Sequence, residues 1–140
     1  MNIVYIDETK MGILKEFVRN LGDASISFRY FNSRSIETVN NHLITLLILN
    51  EDKPIAYGHL ELEDEITWLG ICVLPEFQGR GYSDIIMIEL IQYAKSVNIQ
   101  NIFLAVDNSN FRAINLYKKY NFTEEHIFEH FTRYILKIRE

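Results

Sequence analysis

The chain has 140 residues, of which 48% are hydrophobic and 24% are charged, and its formal net charge is −5. This length favours one domain over residues 1–140, and the apolar content argues against a disordered chain. We expect neither a membrane nor a nucleic-acid partner, because no apolar run approaches the ~18 residues of a membrane span and no cluster of Lys and Arg offers a phosphate-binding surface.

The first half of the chain predicts a strand, two short helices and then three strands joined by tight turns. Met11, Leu14 and Val18 recur at helical spacing after Thr9, a residue type that can cap a helix, and Ser35 can cap the second helix. The three strands are apolar runs separated by turns of hairpin length, which is typical of an antiparallel meander. The predicted bounds are 2–6 for the first strand, 9–20 and 35–42 for the helices, 22–34 for a loop with a helical turn, and 42–50, 54–62 and 66–74 for the meander.

After Pro75 the pattern changes to helices and strands in alternation. Ile86, Leu90 and Val97 recur at roughly helical spacing, and a short apolar strand follows them. This strand–loop–helix–strand passage predicts a parallel crossover in a sheet that is otherwise antiparallel. The predicted bounds are 81–97 and 110–120 for the helices and 101–106, 122–128 and 130–138 for the strands. The fold class is therefore mixed α/β (α+β), with a mostly antiparallel sheet of about seven strands flanked by four helices.

The single cysteine, Cys72, excludes an internal disulfide and a zinc site built from cysteines. The first residues lack the basic-then-apolar layout of a signal peptide, so a cytoplasmic location is the expectation. In an apolar strand, one thiol is more typical of a small core residue than of a catalytic group.

The stretch "PEFQGRGYS", from Pro75 to Ser83, places two glycines and Arg80 between a buried strand and a helix. Free amides at a helix start, together with the helix dipole, stabilise an anion, and glycine lets the backbone approach a phosphate and take positive φ. The motifs of nucleoside-triphosphate loops and dinucleotide folds are both absent. On glycine spacing alone, a plain strand-to-helix turn and a phosphate-binding loop are equally supported.

The surrounding sequence favours the phosphate-binding loop. Gln78-x-x-Gly81-x-Ser83, followed by an amphipathic helix, resembles motif A of the GNAT acyltransferases. About thirty residues later, Asn110, Ala113 and "LYKKYNF" are similar to the second motif of the same family. The two motifs stand in the family's order, and the resemblance covers essentially the whole chain.

Three residues depart from the family pattern or fit it poorly. Ser83 replaces the usual Gly or Ala, and its hydroxyl can itself donate to a phosphate oxygen. Asn121 replaces a Gly after the last helix, where we expect the left-handed conformation that Asn tolerates. The charge of Asp84 would repel a pyrophosphate, although an acid suits a helix N-terminus.

The resemblance implies acetyl-CoA as a co-substrate, with its pyrophosphate on the glycine loop and its pantetheine arm along the fourth strand, and it implies no metal. The implied cofactor contacts are Ile71, Cys72, Val73, Gln78, Gly79, Arg80, Gly81, Tyr82, Ser83, Asn110 and Tyr117.

The resemblance also gives Tyr117 the role of protonating the departing thiolate of coenzyme A. A phenol is protonated at neutral pH and can donate at the end of the reaction, whereas the alternative is a packed tyrosine, and Tyr120 is a weaker rival. Attack on a thioester needs a neutral amine and therefore a base. The candidate bases are Glu61, Glu63 and Glu65 around the turn after the third strand, with Glu61 and Glu65 preferred, although such a charge run is by default a solvated turn. His59 is more typical of a satisfied strand residue.

The acceptor side is expected in the stretch "SFRYFNSR", where Arg29, Tyr30 and Phe31 are the candidate substrate-binding residues. Aromatic faces can stack on a sugar or ring, and arginine pairs with phosphate or carboxylate. The alternative is that the aromatics anchor the loop and the arginines pair with surplus acids. An amino acid, an aminoglycoside, a polyamine and the amino group of a peptide are other acceptors.

The function implied by the resemblance is an acetyl-CoA-dependent N-acetyltransferase that moves an acetyl group to the primary amine of a small molecule. An amino sugar or a nucleotide-linked amino sugar is the first acceptor to consider. Two alternatives stay open, a non-catalytic acyl-CoA-binding sensor and a peptide or protein N-acetyltransferase. The last strands are the expected surface for a homodimer.

Overall fold

A computed structural model describes residues 2–138. Ten helices and strands form its frame, with 3-10 helices in the connections. In chain order they are β1 (Asn2–Tyr5), α1 (Met11–Arg19), β2 (Ile44–Asn50), β3 (Lys53–Glu63), β4 (Ile66–Val73), α2 (Tyr82–Ser96), β5 (Asn101–Asp107), α3 (Phe111–Lys119), β6 (Thr123–Ile127) and β7 (Phe131–Lys137). The 3-10 helices are Glu8–Lys10, Gly22–Ile26, Tyr30–Asn32, Ile36–Asn41 and Pro75–Phe77.

The strands form one seven-stranded sheet in the order β1-β2-β3-β4-β5-β7-β6. Its neighbours are antiparallel except for β4 and β5, which are parallel. This arrangement confirms the predicted mixed, mostly antiparallel sheet and its single parallel crossover. Of the four predicted helices, the second is a 3-10 helix at Ile36–Asn41 and the other three are α-helices.

The sheet separates two hydrophobic clusters. Leu46 and Ile48 belong to the cluster that includes the buried residues of α2, whereas Leu47 belongs to the cluster that includes the buried residues of α1. Successive side chains of a strand point to opposite faces, so the continuous apolar run of β2 supplies both clusters. In the described part of the chain, no helix combines the length and the apolar character needed to cross a membrane.

Both hairpins of the meander close through two-residue turns. Glu51 and Asp52 have φ values of 51° and 67°, and Asp64 and Glu65 have values of 51° and 68°. Positive φ at both central residues is the signature of a type I′ turn, whose twist matches that of the flanking strands. The second turn places Glu65 at the exposed tip of the β3–β4 hairpin.

The first helical segment begins earlier than predicted, with an N-cap two residues before Thr9. Asp7 caps the 3-10 helix Glu8–Lys10, and its Oδ1 accepts hydrogen bonds from the amide and the hydroxyl of Thr9, at 2.8 Å and 2.6 Å. The prediction of Thr9 as the cap is therefore wrong, because the carboxylate two residues before it takes that role. Ser35 caps the second helix as predicted and accepts a hydrogen bond from the Glu37 amide.

The parallel junction between β4 and β5 is narrow. Trp68 and Phe103 form its one register pair in the described residues, whereas β3 and β4 pair continuously from Ala56 and Val73 to Glu63 and Ile66. Residues 70–73 of β4 have no register partner on β5 in the described part of the chain.

The outer edge of the sheet next to β7 is β6, whose five residues are all exposed. The last strands, β6 and β7, are the predicted surface for a homodimer, and the homodimer stays a prediction.

Candidate functional site

Two cavities, each of about 550 Å³, lie beside β4 and α3. The loop cavity lies against residues 77–79 and 81–84, and the sheet cavity lies against β3, β4, β5 and the start of α3. The two cavities share six of their lining residues, which are Ser27, Phe28, Ile71, Asn110, Ala113 and Tyr117. They therefore form one continuous cleft that passes Tyr117.

The glycine loop has the backbone conformation that its sequence predicts. Gly79 and Gly81 have φ values of 79° and 86°, which lie in the left-handed region that favours glycine. A Cβ at Gly81 would meet nothing within 4 Å, so the conformation and not the space requires glycine in the free protein. Gly81 is the N-cap of α2 and no side chain caps the first amides of this helix. These amides are thus available to an anion in the loop cavity.

The cations beside this loop differ from the one that the sequence suggests. Arg80 extends over the ring of Phe77, with Cζ 5.2 Å from the ring centroid, and is not among the residues lining either cavity. Arg112 and Lys119 of α3 both line the loop cavity. Arg112 Nη1 lies 3.8 Å from the position that a Cβ of Gly79 would take. The positive charge over the loop therefore comes from α3, and sequence reasoning missed both residues.

Asp84 does not place an unpaired charge beside the loop. Its Oδ1 accepts hydrogen bonds from Lys119 Nζ at 2.6 Å and from the Tyr120 hydroxyl at 2.7 Å. These two hydrogen bonds lower the pKa of Asp84, and the carboxylate is held ionised against a lysine. The repulsion expected from the sequence is offset by this pair.

Tyr117 is one of the six residues that line both cavities. It is only 8% exposed and its ring packs at 5.8 Å from Phe122. Within residues 2–138, the Tyr117 hydroxyl has no hydrogen bond to another protein group, and its role as an acid stays a prediction. Burial, with a smaller contribution from Cys72, raises the pKa of this phenol above its usual range. Asn110 caps α3 by accepting a hydrogen bond from the Ala113 amide at 3.3 Å.

Residues 71–73 form the β4 wall of the loop cavity. The backbone carbonyl of Val73 accepts a hydrogen bond from Gln78 Nε2 at 3.2 Å, which ties the end of β4 to the glycine loop. Cys72 is 6% exposed, and burial raises the pKa of its thiol to about 12. The thiol is therefore protonated at neutral pH and packs as a small core residue, as the sequence predicts.

The candidate acids and acceptor residues divide between the sheet cavity and its surroundings. Glu61 lines the sheet cavity, whereas Glu65 lies at the exposed hairpin tip outside it. Tyr30 and Arg29 line the same cavity, but Arg29 forms a bidentate ion pair with Asp107, at 2.8 Å and 3.0 Å. Phe31 packs in the second hydrophobic cluster and lines neither cavity.

A buried polar chain runs behind Tyr30. The Tyr30 hydroxyl lies 2.6 Å from His42 Nε2, and His42 Nδ1 lies 2.8 Å from Thr45 Oγ1. His59 Nδ1 lies 2.6 Å from the Tyr57 hydroxyl. Burial lowers the pKa of His42 to about 4 and the pKa of His59 well below its usual value, so both rings are neutral at pH 7.

The sequence predicts His59 as a satisfied strand residue, which its hydrogen bond to Tyr57 bears out, but His42 was missed. The signal that brings the two rings together is a register position, because Thr45 of β2 pairs with His59 of β3. The backbone amide of Leu43 also donates to the carbonyl of Leu60 at 2.9 Å, which holds the residue before it close to β3.

Comparisons with known proteins agree with this architecture. The Acetyltransferase (GNAT) family matches the chain over residues 14–122. The chain is 33% identical over 96 residues to a [ribosomal protein bS18]-alanine N-acetyltransferase of Haemophilus influenzae, which covers 69% of this chain and 57% of the relative. It is 32% identical over 98 residues to a spermidine N(1)-acetyltransferase of Vibrio cholerae, which covers 69% of this chain and 52% of the relative. The chain thus spans about half the length of the curated relatives it matches.

Two solved structures share the fold. An acetyltransferase of the GNAT family from Streptococcus pneumoniae superposes with a TM-score of 0.84, at 17% identity, over 99% of each chain. A putative acetyltransferase from Salmonella typhimurium, solved with its cofactor acetyl-CoA, has a TM-score of 0.79 at 14% identity and covers 100% of this chain and 95% of that chain.

Proposed function

The chain belongs to the acetyltransferase (GNAT) family, and on that premise we propose that it transfers the acetyl group of acetyl-CoA to the primary amine of a small molecule. The observation that carries the proposal is the placement of Tyr117, whose side chain faces both cavities of one cleft. A co-substrate in the loop cavity and an acceptor in the sheet cavity would meet beside its hydroxyl.

The loop cavity fits the phosphate end of acetyl-CoA, which when bound supplies an activated acyl group as a thioester. The uncapped amides that follow Gly81 supply hydrogen-bond donors, and Arg112 supplies positive charge, whereas Lys119 is paired with Asp84. The main chain of residues 71–73 offers the backbone groups of a strand that has lost its neighbour, and these can pair with the amides of the pantetheine arm.

Tyr117 would act as the general acid. Its phenol is protonated at neutral pH, and its hydroxyl is not engaged by another described side chain, so it can donate to the sulfur as the carbon–sulfur bond breaks. The amine nitrogen forms the new carbon–nitrogen bond, and its proton has to leave toward a base. The side chain of Glu61 is only 15% exposed and faces the sheet cavity, so we assign this role to Glu61 acting through water. Glu65 is at the exposed hairpin tip and is less suited to it.

The lining of the sheet cavity favours a cationic acceptor. Glu61 and Glu63 bring negative charge, and Tyr30, Trp68 and Phe131 bring aromatic faces. The guanidinium of Arg29 is already paired with Asp107. Arg34 also lines the cavity, where it stacks over the Tyr30 ring and donates a hydrogen bond to the Tyr30 carbonyl. The cavity lining includes three carboxylates, of Glu61, Glu63 and Asp107, and only two guanidinium groups. This balance favours an amine that carries further positive charge, such as a polyamine or an amino sugar with several amino groups, over a nucleotide-linked sugar.

The first test is calorimetric titration of acetyl-CoA into the wild-type chain and into Gly81→Asp. The substituted carboxylate would repel the pyrophosphate, so we expect binding to be lost in this variant. Gly22→Asp is the matched control, because Gly22 also has a positive φ and open space around it, and it should bind as the wild type does. Absence of binding by the folded wild-type chain would overturn the proposal.

The second test separates an enzyme from a non-catalytic acyl-CoA-binding module. Tyr117→Phe removes only the hydroxyl, so acetyl-CoA affinity should be kept while turnover falls by roughly 10²–10⁴-fold. A panel of amines should include a polyamine, an amino sugar and a peptide with a free amino terminus. Turnover of the peptide alone would replace the small-molecule acceptor by a peptide acceptor.

A further inference from the structure

We propose that His42, His59 and Glu61 form a binding site for one Zn²⁺ ion at the inner wall of the sheet cavity. One ligand atom from each of the three side chains lies within 4.8 Å of the ligand atoms of the other two. Acetyl transfer needs no metal, and because Glu61 is also the proposed base, a bound ion would withdraw that carboxylate from the reaction; the ion would be a ligand separate from acetyl-CoA. Its binding can be tested without reference to the acetyltransferase activity.

Strand geometry brings the three groups together. His59 and Glu61 are two residues apart on β3, so their side chains lie on the same face of the sheet. His42 comes from the segment that enters β2, and its imidazole centroid lies 4.4 Å from that of His59. His42 Nε2 is 3.9 Å from Glu61 Oε2. The ligands therefore come from two segments held in register by the sheet.

The second ring nitrogen of each histidine is already engaged. His42 Nδ1 contacts Thr45 Oγ1 at 2.8 Å and His59 Nδ1 contacts the Tyr57 hydroxyl at 2.6 Å. Histidines that bind a metal characteristically have their other nitrogen held in this way, because the contact fixes the orientation of the ring. The Nε2 atoms are the proposed metal-binding positions, and at His42 the ion would replace the hydrogen bond between Nε2 and the Tyr30 hydroxyl, now 2.6 Å long.

Gly70 provides the space in which the His59 ring lies. A Cβ on Gly70 would be 2.6 Å from Cε1 and 2.7 Å from Nε2 of His59. Gly70 pairs with His59 across β3 and β4 and lines the sheet cavity, as His59 does. Any larger residue at position 70 would displace the ring edge that carries the proposed ligand atom.

Two imidazoles and one carboxylate are a ligand set that suits zinc, with a fourth position for an oxygen ligand. The Tyr30 hydroxyl, 2.6 Å from His42 Nε2, or a water molecule can take that position. Ligand atoms around tetrahedral zinc lie about 3.3 Å apart, so the side chains would draw together on binding, and the partly exposed Glu61 is the one free to move.

The test is a titration of Zn²⁺ against a chelating dye in the presence of the chain. We expect one ion per wild-type chain and an affinity at least about tenfold weaker in His42→Ala and in Glu61→Gln. The double variant His126→Ala/His130→Ala removes the two exposed histidines and is the matched control, which should bind as the wild type does. Circular dichroism of each variant checks that it is folded.

Glu61→Gln keeps the volume of a partly exposed side chain and is therefore expected to fold even if His42→Ala does not. Equal Zn²⁺ affinity in the wild type and Glu61→Gln, loss of binding in the exposed-histidine control, or no binding at all would overturn the site. Zn²⁺ should also leave acetyl-CoA affinity unchanged, because none of the three ligands lines the loop cavity. Failure of the zinc site would leave the acetyltransferase proposal untouched, since the calorimetric test of acetyl-CoA does not involve these residues.

Discussion

Gly58 on β3 lies beneath α2 with no room for a side chain. A Cβ built on Gly58 would lie under 3.0 Å from Ile86 Cγ2 and 3.3 Å from Leu90 Cδ1, whereas carbon atoms pack best at about 3.5–4.0 Å. Ile86 and Leu90 are both 0% exposed, and the β-branched Ile86 is stiff at χ1, so rotation does not relieve the clash. We expect Gly58→Ala to lower the free energy of unfolding by about 1–3 kcal/mol.

Urea and thermal unfolding measure this effect, and at this chain length each kcal/mol corresponds to a fall in Tm of about 3 °C. Gly12→Ala is the matched control, because a Cβ on Gly12 meets nothing within 4 Å and α1 gains a better helix former. It should raise the free energy of unfolding by roughly 0.4–1 kcal/mol. Ile86→Leu moves the clashing methyl, so the double variant with Gly58→Ala should lose less stability than the sum of the single variants. Strict additivity, or a Gly58→Ala variant as stable as the wild type, would refute the reasoning.

Three further predictions follow from the loop and the core. Arg112→Gln should weaken acetyl-CoA binding about tenfold in calorimetry, because an exposed charge-assisted hydrogen bond contributes about 1.5 kcal/mol. Arg80→Gln is the control and should change the affinity less than about twofold. Equal losses of affinity in the two variants would contradict the placement of positive charge on α3. Because the folded-state pKa of Asp84 is lowered, its stabilisation is present above its unfolded pKa of about 3.9 and is lost as pH falls through the folded pKa. Asp84→Asn should thus cost less than about 1 kcal/mol at neutral pH and nothing at acid pH in urea unfolding, and a cost independent of pH would argue against the Lys119 pair. Cys72, with its raised pKa, should react with a thiol-labelling reagent at neutral pH only as the chain unfolds, and fast labelling of folded chain would show that it is accessible.

The strands and their order of succession could be predicted because short apolar runs alternate with tight turns. The predicted helix at 81–97 is observed as Tyr82–Ser96, and Asn121 has the expected left-handed conformation, with φ of 72°. These features depend on neighbouring residues alone. The second helix is 3-10 because its sequence, "IETVNN", is rich in β-branched residues and Asn, which are weak formers of an α-helix.

The glycine loop was predictable for the same reason, since its backbone conformation is dictated by Gly79 and Gly81 themselves. The direction of the arginines was not, because Arg80 turns toward Phe77 while Arg112 reaches the loop from a different element. The proximity of His42 to His59 depends on which residues of β2 and β3 face each other. A shift of that register by one residue would send one of the two neighbouring side chains to the opposite face.

The narrow junction at Trp68 and Phe103 divides the sheet into two groups of strands, the four strands β1 to β4 and the three strands β5 to β7. Because register pairing between the two groups of strands is limited to Trp68 and Phe103, packing in one hydrophobic cluster is the main interaction between them. This cluster includes Leu46 and Ile48 from the four-stranded group and Leu104 from the three-stranded group. Apolar contact is non-directional, so the two groups of strands can rotate slightly against each other while the hydrogen bonds within each group stay intact. A molecule bound along residues 71–73 would restrict the relative motion of the two groups of strands. Amide hydrogen exchange in both groups should therefore slow when the molecule binds.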